Sequence, residues 1–147
     1  AAGAVGVMLN HMEKRISLAE LNKTIKRADE VGLATMVCAD TVQEAAAIAH
    51  LAPNIIVAEK PELIGSGQMS DMDFIKQTDS VVHAINPDIL VLQGGGISTS
   101  QDVYNVIMAG AVATGCTSGI VKAPDPFAAM EDMISALRRA WDKVHKK

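Results

Sequence analysis

The sequence predicts an α/β fold, a parallel sheet with helices packed outside it, and three observations carry that prediction. Short, β-branched apolar runs alternate with helix-length segments along the whole chain. Capping signals mark where the helices begin. Polar and glycine-rich residues gather after the strands, where parallel α/β folds build their sites. The recurrence of roughly 25 to 30 residues is that of one strand plus one helix. No linker, low-complexity tract or charge block interrupts it, so residues 1–147 read as one domain. Two architectures fit, an open doubly wound sheet and part of a (β/α)8 barrel.

The elements follow in order. Residues 5–10 predict a strand, and Ser17-Leu18-Ala19-Glu20 is a capping box opening a helix to about Val31, stopped by Gly32. Residues 33–39 predict the second strand, 41–51 the second helix and 54–58 the third strand. Ser70 or Asp71 caps a helix to about Ile85, which Asn86-Pro87 ends. A fourth strand is expected over 88–92, a helix over 100–109 closed by Gly110, and a weaker fifth strand over 111–116. Asp125-Pro126 starts the last helix, with proline at its first turn.

Composition narrows the function. Hydrophobic residues make up 49% of the 147, yet no apolar stretch approaches the ~18 residues of a membrane span. The opening residues carry no basic leader, so a signal peptide is not expected. Net charge is −4, and the largest basic cluster is the terminal His145-Lys146-Lys147, so nucleic acid is not expected as a partner. Cys38 and Cys116 each lie in an apolar run at no metal-ligand spacing. Both are expected to be buried, reduced and inert in a cytosolic protein.

Glu59 ends the third strand and opens the segment 59–67, Glu-Lys-Pro-Glu-Leu-Ile-Gly-Ser-Gly. Pro61 stiffens one end, Leu63 and Ile64 form an apolar tip, and Gly65 and Gly67 allow unusual backbone angles. The arrangement reads as a hinged lid beside a carboxylate base, suited to moving a proton on a small sugar phosphate. His11 ends the first strand, near a helix N-terminus and followed by Glu13 and Arg15. It reads as a neutral imidazole able to donate to a substrate oxygen. His50, His83 and His145 are assigned no role. Gly94-Gly95-Gly96-Ile97-Ser98-Thr99, between a strand and a helix, reads as a phosphate cradle. Thr117-Ser118-Gly119 offers a second set of N–H groups, and two such adjacent loops favour the barrel.

In this order and spacing, Asn10-His11-Met12-Glu13-Lys14-Arg15, residues 59–67, residues 94–99 and Ser118-Gly119 with Lys122-Ala123 resemble the triosephosphate isomerase family, in its shorter archaeal-type form. The resemblance implies a partial TIM (β/α)8 barrel whose five strands match the family's last five, the first three β/α units being absent. It implies catalytic roles known of the family: Glu59 as base, His11 as neutral electrophile and Glu13 as the acidic residue after it. It further implies phosphate contacts at Gly65, Ser98, Ser118 and Gly119, and neither cofactor nor metal. The implied substrate is a small triose phosphate, dihydroxyacetone phosphate or glyceraldehyde 3-phosphate.

The family's first-strand lysine lies in the absent part, so the isolated chain is expected to be weak or inactive. Expected partners are further copies of the chain or a complementary N-terminal chain, since an open barrel leaves edge strands unpaired. Lys60 stands where the family has a stiffening proline, which predicts a looser hinge. Met12 replaces a serine, which predicts altered packing beside His11. The competing expectation is a non-catalytic scaffold that keeps the phosphate site. A different phosphate-binding barrel enzyme is disfavoured, because it leaves the His11 and Glu59 segments unexplained.

Overall fold

The computed structural model describes residues 3–66 and 70–146. Five parallel strands form one sheet in sequential order: β1 (Gly6–Leu9), β2 (Ala34–Ala39), β3 (Ile55–Ala58), β4 (Leu90–Gln93) and β5 (Ala113–Thr114). Helices α1 (Leu18–Glu30), α2 (Val42–Ala49), α3 (Met72–Ile85) and α4 (Ser100–Met108) connect them, and α5 (Ser118–Val121) and α6 (Pro126–His145) follow β5. A doubly wound sheet reverses its strand order partway, whereas a barrel keeps it sequential. The order β1-β2-β3-β4-β5 therefore selects the barrel arrangement, here with five strands.

Side-chain alternation decides the layering. Val37, Ala39, Ile56, Ala58 and Val91 point to the helices and form one core with Leu21 and Ile25 of α1, Ile48 of α2 and Phe74 and Val82 of α3. A second cluster joins Ile75, Ile97, Val103, Val106 and Met133 beneath α4 and α6. On the opposite sheet face Cys38 and Val57 are buried, but, among the described residues, other positions stay open. There Met8 is 57% exposed and Leu90 is 55% exposed, and Met36, Ile55 and Leu92 are only partly covered.

The capping signals hold where they were strongest. Ser17 and Glu20 form a reciprocal box, Asp125 caps α6 with Pro126 at its first turn, and Asp71 rather than Ser70 caps α3. Other boundaries move for local reasons. β1 stops at Leu9 because Asn10 turns left-handed, with φ 59°. β4 starts at Leu90 because Asn86 holds residues 88 and 89 in a turn. β5 shrinks from the expected 111–116 to two paired residues, since the Ala111 amide caps α4 on Val106 and β5 has a strand on one side only. Residues 118–121, expected as loop, form α5. Cys38 is buried as expected, but Cys116 is only half-buried, lying at the sheet's open edge with its Sγ 3.6 Å from Met133 Sδ. Neither is in a disulfide. No helix among the described residues is long and apolar enough to cross a membrane.

Adjacent residues on β4 test the two-faced sheet. Val91 is fully buried against the helices and Leu90 is not. Val91→Asn should cost about 2–4 kcal/mol, through lost packing and an unpaired buried amide, and Leu90→Asn under about 1 kcal/mol. Denaturant midpoints of the two variants check the difference.

Candidate functional site

Because the strands are parallel, their carboxyl ends and following loops share one rim. They enclose a cavity of about 660 Å3 bordered by His11, Glu59, Gly65, residues 94–96, Ser118 and Lys122. Glu59 is fixed as it leaves β3, its amide donating to the Ala39 carbonyl at 3.0 Å. Its side chain lies over the glycine loop after β4. A Cβ at Gly94 would stand 3.4 Å from both Cδ and Oε1 of Glu59, so glycine there leaves the carboxylate uncrowded. Burial pushes the nearby Cys38 thiol up to about 11, and the negative charge of Glu59 adds to the effect. That thiol stays protonated and is a poor nucleophile.

His11 is positioned by residues that the sequence did not single out as site residues. Asn10 is buried, and its Nδ2 donates to the Cys38 carbonyl and to Glu44 Oε1, each at 3.1 Å. Its Oδ1 accepts from the Ile16 amide at 3.3 Å. Arg15 closes the far end of the loop with one ion pair to Glu44 Oε1 at 2.6 Å and a second to Asp40. The loop is thereby pinned at both ends. The Glu13 amide donates to His11 Nδ1 at 3.4 Å, which assigns the ring proton to Nε2. The Glu13 carboxylate itself is solvent-facing, 84% exposed, with Oε2 3.7 Å from His11 Nδ1. Asn10 carried a signal, because asparagine after an apolar run tolerates the left-handed region. Glu44 carried none, being 34 residues away in sequence. Met12 is 45% exposed, with somewhat more than half of its surface covered.

The phosphate-loop residues divide. Gly65 and Ser118 border the cavity, whereas Ser98, Gly119 and Glu13 do not. The Ser98 amide donates to Asp102 Oδ2 at 3.0 Å, beside the capping box of α4, and its hydroxyl donates to the Gly96 carbonyl at 3.3 Å. Gly119 packs on that same segment. A Cβ there would meet Ser98 Cα at 2.8 Å and the Ile97 carbonyl oxygen at 3.0 Å. The close approach this glycine permits is to the protein's own backbone, and it joins the loops after β4 and β5.

The lid begins as a 3-10 turn over Pro61–Leu63, and its expected Gly67 lies outside the described residues. At the start of the lid, where the sequence predicted a looser hinge, Lys60 has side-chain partners of its own. Lys60 Nζ pairs with Asp71 Oδ2 at 2.8 Å and sits 4.8 Å from the centre of the Phe74 ring. Among the described residues, no three His, Cys, Asp or Glu side chains gather as metal ligands.

Residues 1–134 match the family model described as triosephosphate isomerase. The chain is 40% identical over 139 residues to the triosephosphate isomerase of Methanobacterium bryantii, covering 92% of this chain and 62% of the relative. It is 43% identical over 136 residues to that of Methanosarcina mazei, covering 90% of this chain and 61% of the relative. The chain thus spans less than two thirds of these relatives' lengths. Among solved structures it is similar to 3-hexulose-6-phosphate synthase from Salmonella typhimurium, with TM-score 0.71, 19% identity and coverage of 95% of this chain and 64% of that one. It is also similar to thiamine phosphate pyrophosphorylase from Pyrococcus furiosus, with TM-score 0.65, 18% identity and coverage of 93% and 61%. At those identities the likeness is one of fold.

The frame around His11 makes its own prediction. Asn10→Gly and Asn10→Ala both remove the side-chain bonds to Cys38, Glu44 and Ile16, a loss of about 1.5–3 kcal/mol. Only alanine also carries the left-handed backbone penalty, about 1–2 kcal/mol. Denaturation should therefore rank the native chain above Asn10→Gly and Asn10→Gly above Asn10→Ala.

Proposed function

This chain belongs to the triosephosphate isomerase family, and on that premise we propose that it carries the proton-transfer apparatus of an enzyme interconverting dihydroxyacetone phosphate and glyceraldehyde 3-phosphate. The observation that supports this most is the shared cavity, onto which a strand-end carboxylate, an imidazole and two glycine-containing loops all open. Glu59 takes the carbon-bound proton. His11, with its ring proton on Nε2, donates to the carbonyl and hydroxyl oxygens as the enediolate forms. Glu13 contributes through its backbone amide, which holds His11 Nδ1.

The phosphate is held at Gly65, Ser118 and Gly119, with Ser98 in a supporting place. Ser118 and Gly119 are the first residues of α5, where helix geometry leaves amides without intrahelical acceptors. In the resting arrangement Ser98 is engaged with Asp102, so its contribution is to anchor the loop that Gly119 packs against. The two unpaired cysteines suit a reducing, cytoplasmic setting.

The isolated chain has a deficit. The oxygen of the enediolate gains negative charge, and the family's lysine that would face it is not in these 147 residues. Lys122 borders the cavity, but it stands at the C-terminal end of α5 rather than on a first strand. Losing such a charge partner is worth ~3 kcal/mol or more in the transition state, roughly a hundredfold in rate.

The length of a relative supports a reading of what would complete the site. The 139 matched residues are 62% of the Methanobacterium relative, which leaves about 85 residues of it outside the match. Five strand-helix units here occupy 147 residues, about 29 each, so the unmatched length holds about three units. Three parallel units would pair the free edges of β1 and β5 and cover the open positions of the sheet face. Without them that face, with Met8 and Leu90, would drive self-association.

The isolated chain should show isomerase turnover at least a hundredfold below that of the chain mixed with a second polypeptide supplying three such units. A coupled assay on the separate and mixed chains measures this. Full turnover by the isolated chain would contradict the proposed deficit. A mixed complex that binds phosphate but turns nothing over would favour the non-catalytic scaffold.

A further inference from the structure

The residue after Glu59 is a lysine whose contacts reach across the lid to the element beyond it. We propose that the Lys60–Asp71 ion pair clamps the base of the lid, holding the turn that starts at Lys60 against the N-terminus of α3. Both posts are anchored independently of each other. On one side, the Glu59 amide is bonded to Ala39, and a Cβ at Gly95 would stand 3.5 Å from both the nitrogen and the oxygen of Lys60. The backbone at residues 59 and 60 is therefore laid directly on the loop after β4. On the other side, Asp71 is the N-cap of α3, its Oδ1 accepting from the Phe74 amide at 2.7 Å.

One carboxylate thus performs two tasks with its two oxygens. Oδ1 caps the helix and Oδ2 holds Lys60 at 2.8 Å. Phe74 is buried in the core, and its ring face takes the same ammonium at 4.8 Å. The Lys60 side chain is 28% exposed, an ordered placement for a residue type that usually extends into solvent. Lys60 also begins the lid's own structure, its carbonyl accepting from the Leu63 amide at 3.0 Å, followed by Ile64 onto Pro61 and Ser66 onto Leu63. Releasing Lys60 loosens the first of these bonds. The contact is a positioning one: it lies beside Glu59 and holds the segment that borders the cavity at Gly65.

An exposed ion pair alone stabilises little, and it weakens with salt. The clamp therefore predicts a modest, salt-dependent effect confined to the lid. Hydrogen exchange at Leu63, Ile64 and Ser66, measured on the full chain, tests it. In the native chain their exchange should accelerate about two- to fivefold between low salt and ~1 M salt. Lys60→Met should show the faster rate at low salt and no further response to salt, and Lys60→Arg should restore both protection and salt response. The amides of β3 should stay unchanged throughout. Native-like low-salt protection in Lys60→Met overturns the clamp. If the β3 amides of that variant also accelerate, the native chain decides, and a flat salt response there overturns it. This readout is the lid's own protection, so it stands or falls separately from isomerase activity.

Discussion

All five strands run in one direction and in sequential order, so every strand's carboxyl end arrives at the same rim and α1, α2 and α3 pack on one face of the sheet. The rim gathers His11, Glu59 and the glycine loops after β4 and β5 from segments separated by 107 residues at the extreme, from His11 to Ser118 (118 − 11). The helices bury Val37, Ile56 and Val91 and leave Met8 and Leu90, on the other face, exposed. Parallel pairing thus creates both the candidate site and the open surface beside it. His11 and Glu59 thus line one cavity at the edge of that open surface.

The fold was legible because its signals are local. The capping box at Ser17, the Asp125-Pro126 start and the β-branched runs each act within a few residues, and each element appeared where its signal lay. Boundaries failed where neighbours decide them. β5 has one partner strand, so only Ala113 and Thr114 pair, although the apolar run is longer. The early end of β1 depends on Asn10 turning left-handed to reach Cys38 and Glu44, contacts invisible in a linear reading.

The candidate site was legible to different degrees for the same reason. Glu59 and His11 end strands, and parallel pairing brings strand ends together. Gly65 and Ser118 border the same cavity. Ser98 and Gly119 are drawn into contact with Asp102 and with each other, which spacing alone does not reveal. Lys60 is the clearest contrast. Its substitution for proline suggested a looser hinge, yet an ammonium can fix a loop through Asp71 and Phe74 as a ring does through its own torsion. Torsional stiffness is a property of one residue, whereas the Lys60 contact depends on a residue eleven positions further on.

Glu59 is proposed to move a carbon-bound proton at this rim. The direct measurement is loss of that proton from dihydroxyacetone phosphate in D2O, followed by proton NMR. It should be made with the chain in complex with a polypeptide supplying the three further units. Deuterium incorporation is expected from the complex carrying native Glu59, and Glu59→Gln should reduce it about a hundred- to ten-thousandfold, the range a general base contributes. Incorporation at an undiminished rate with Glu59→Gln would contradict that role.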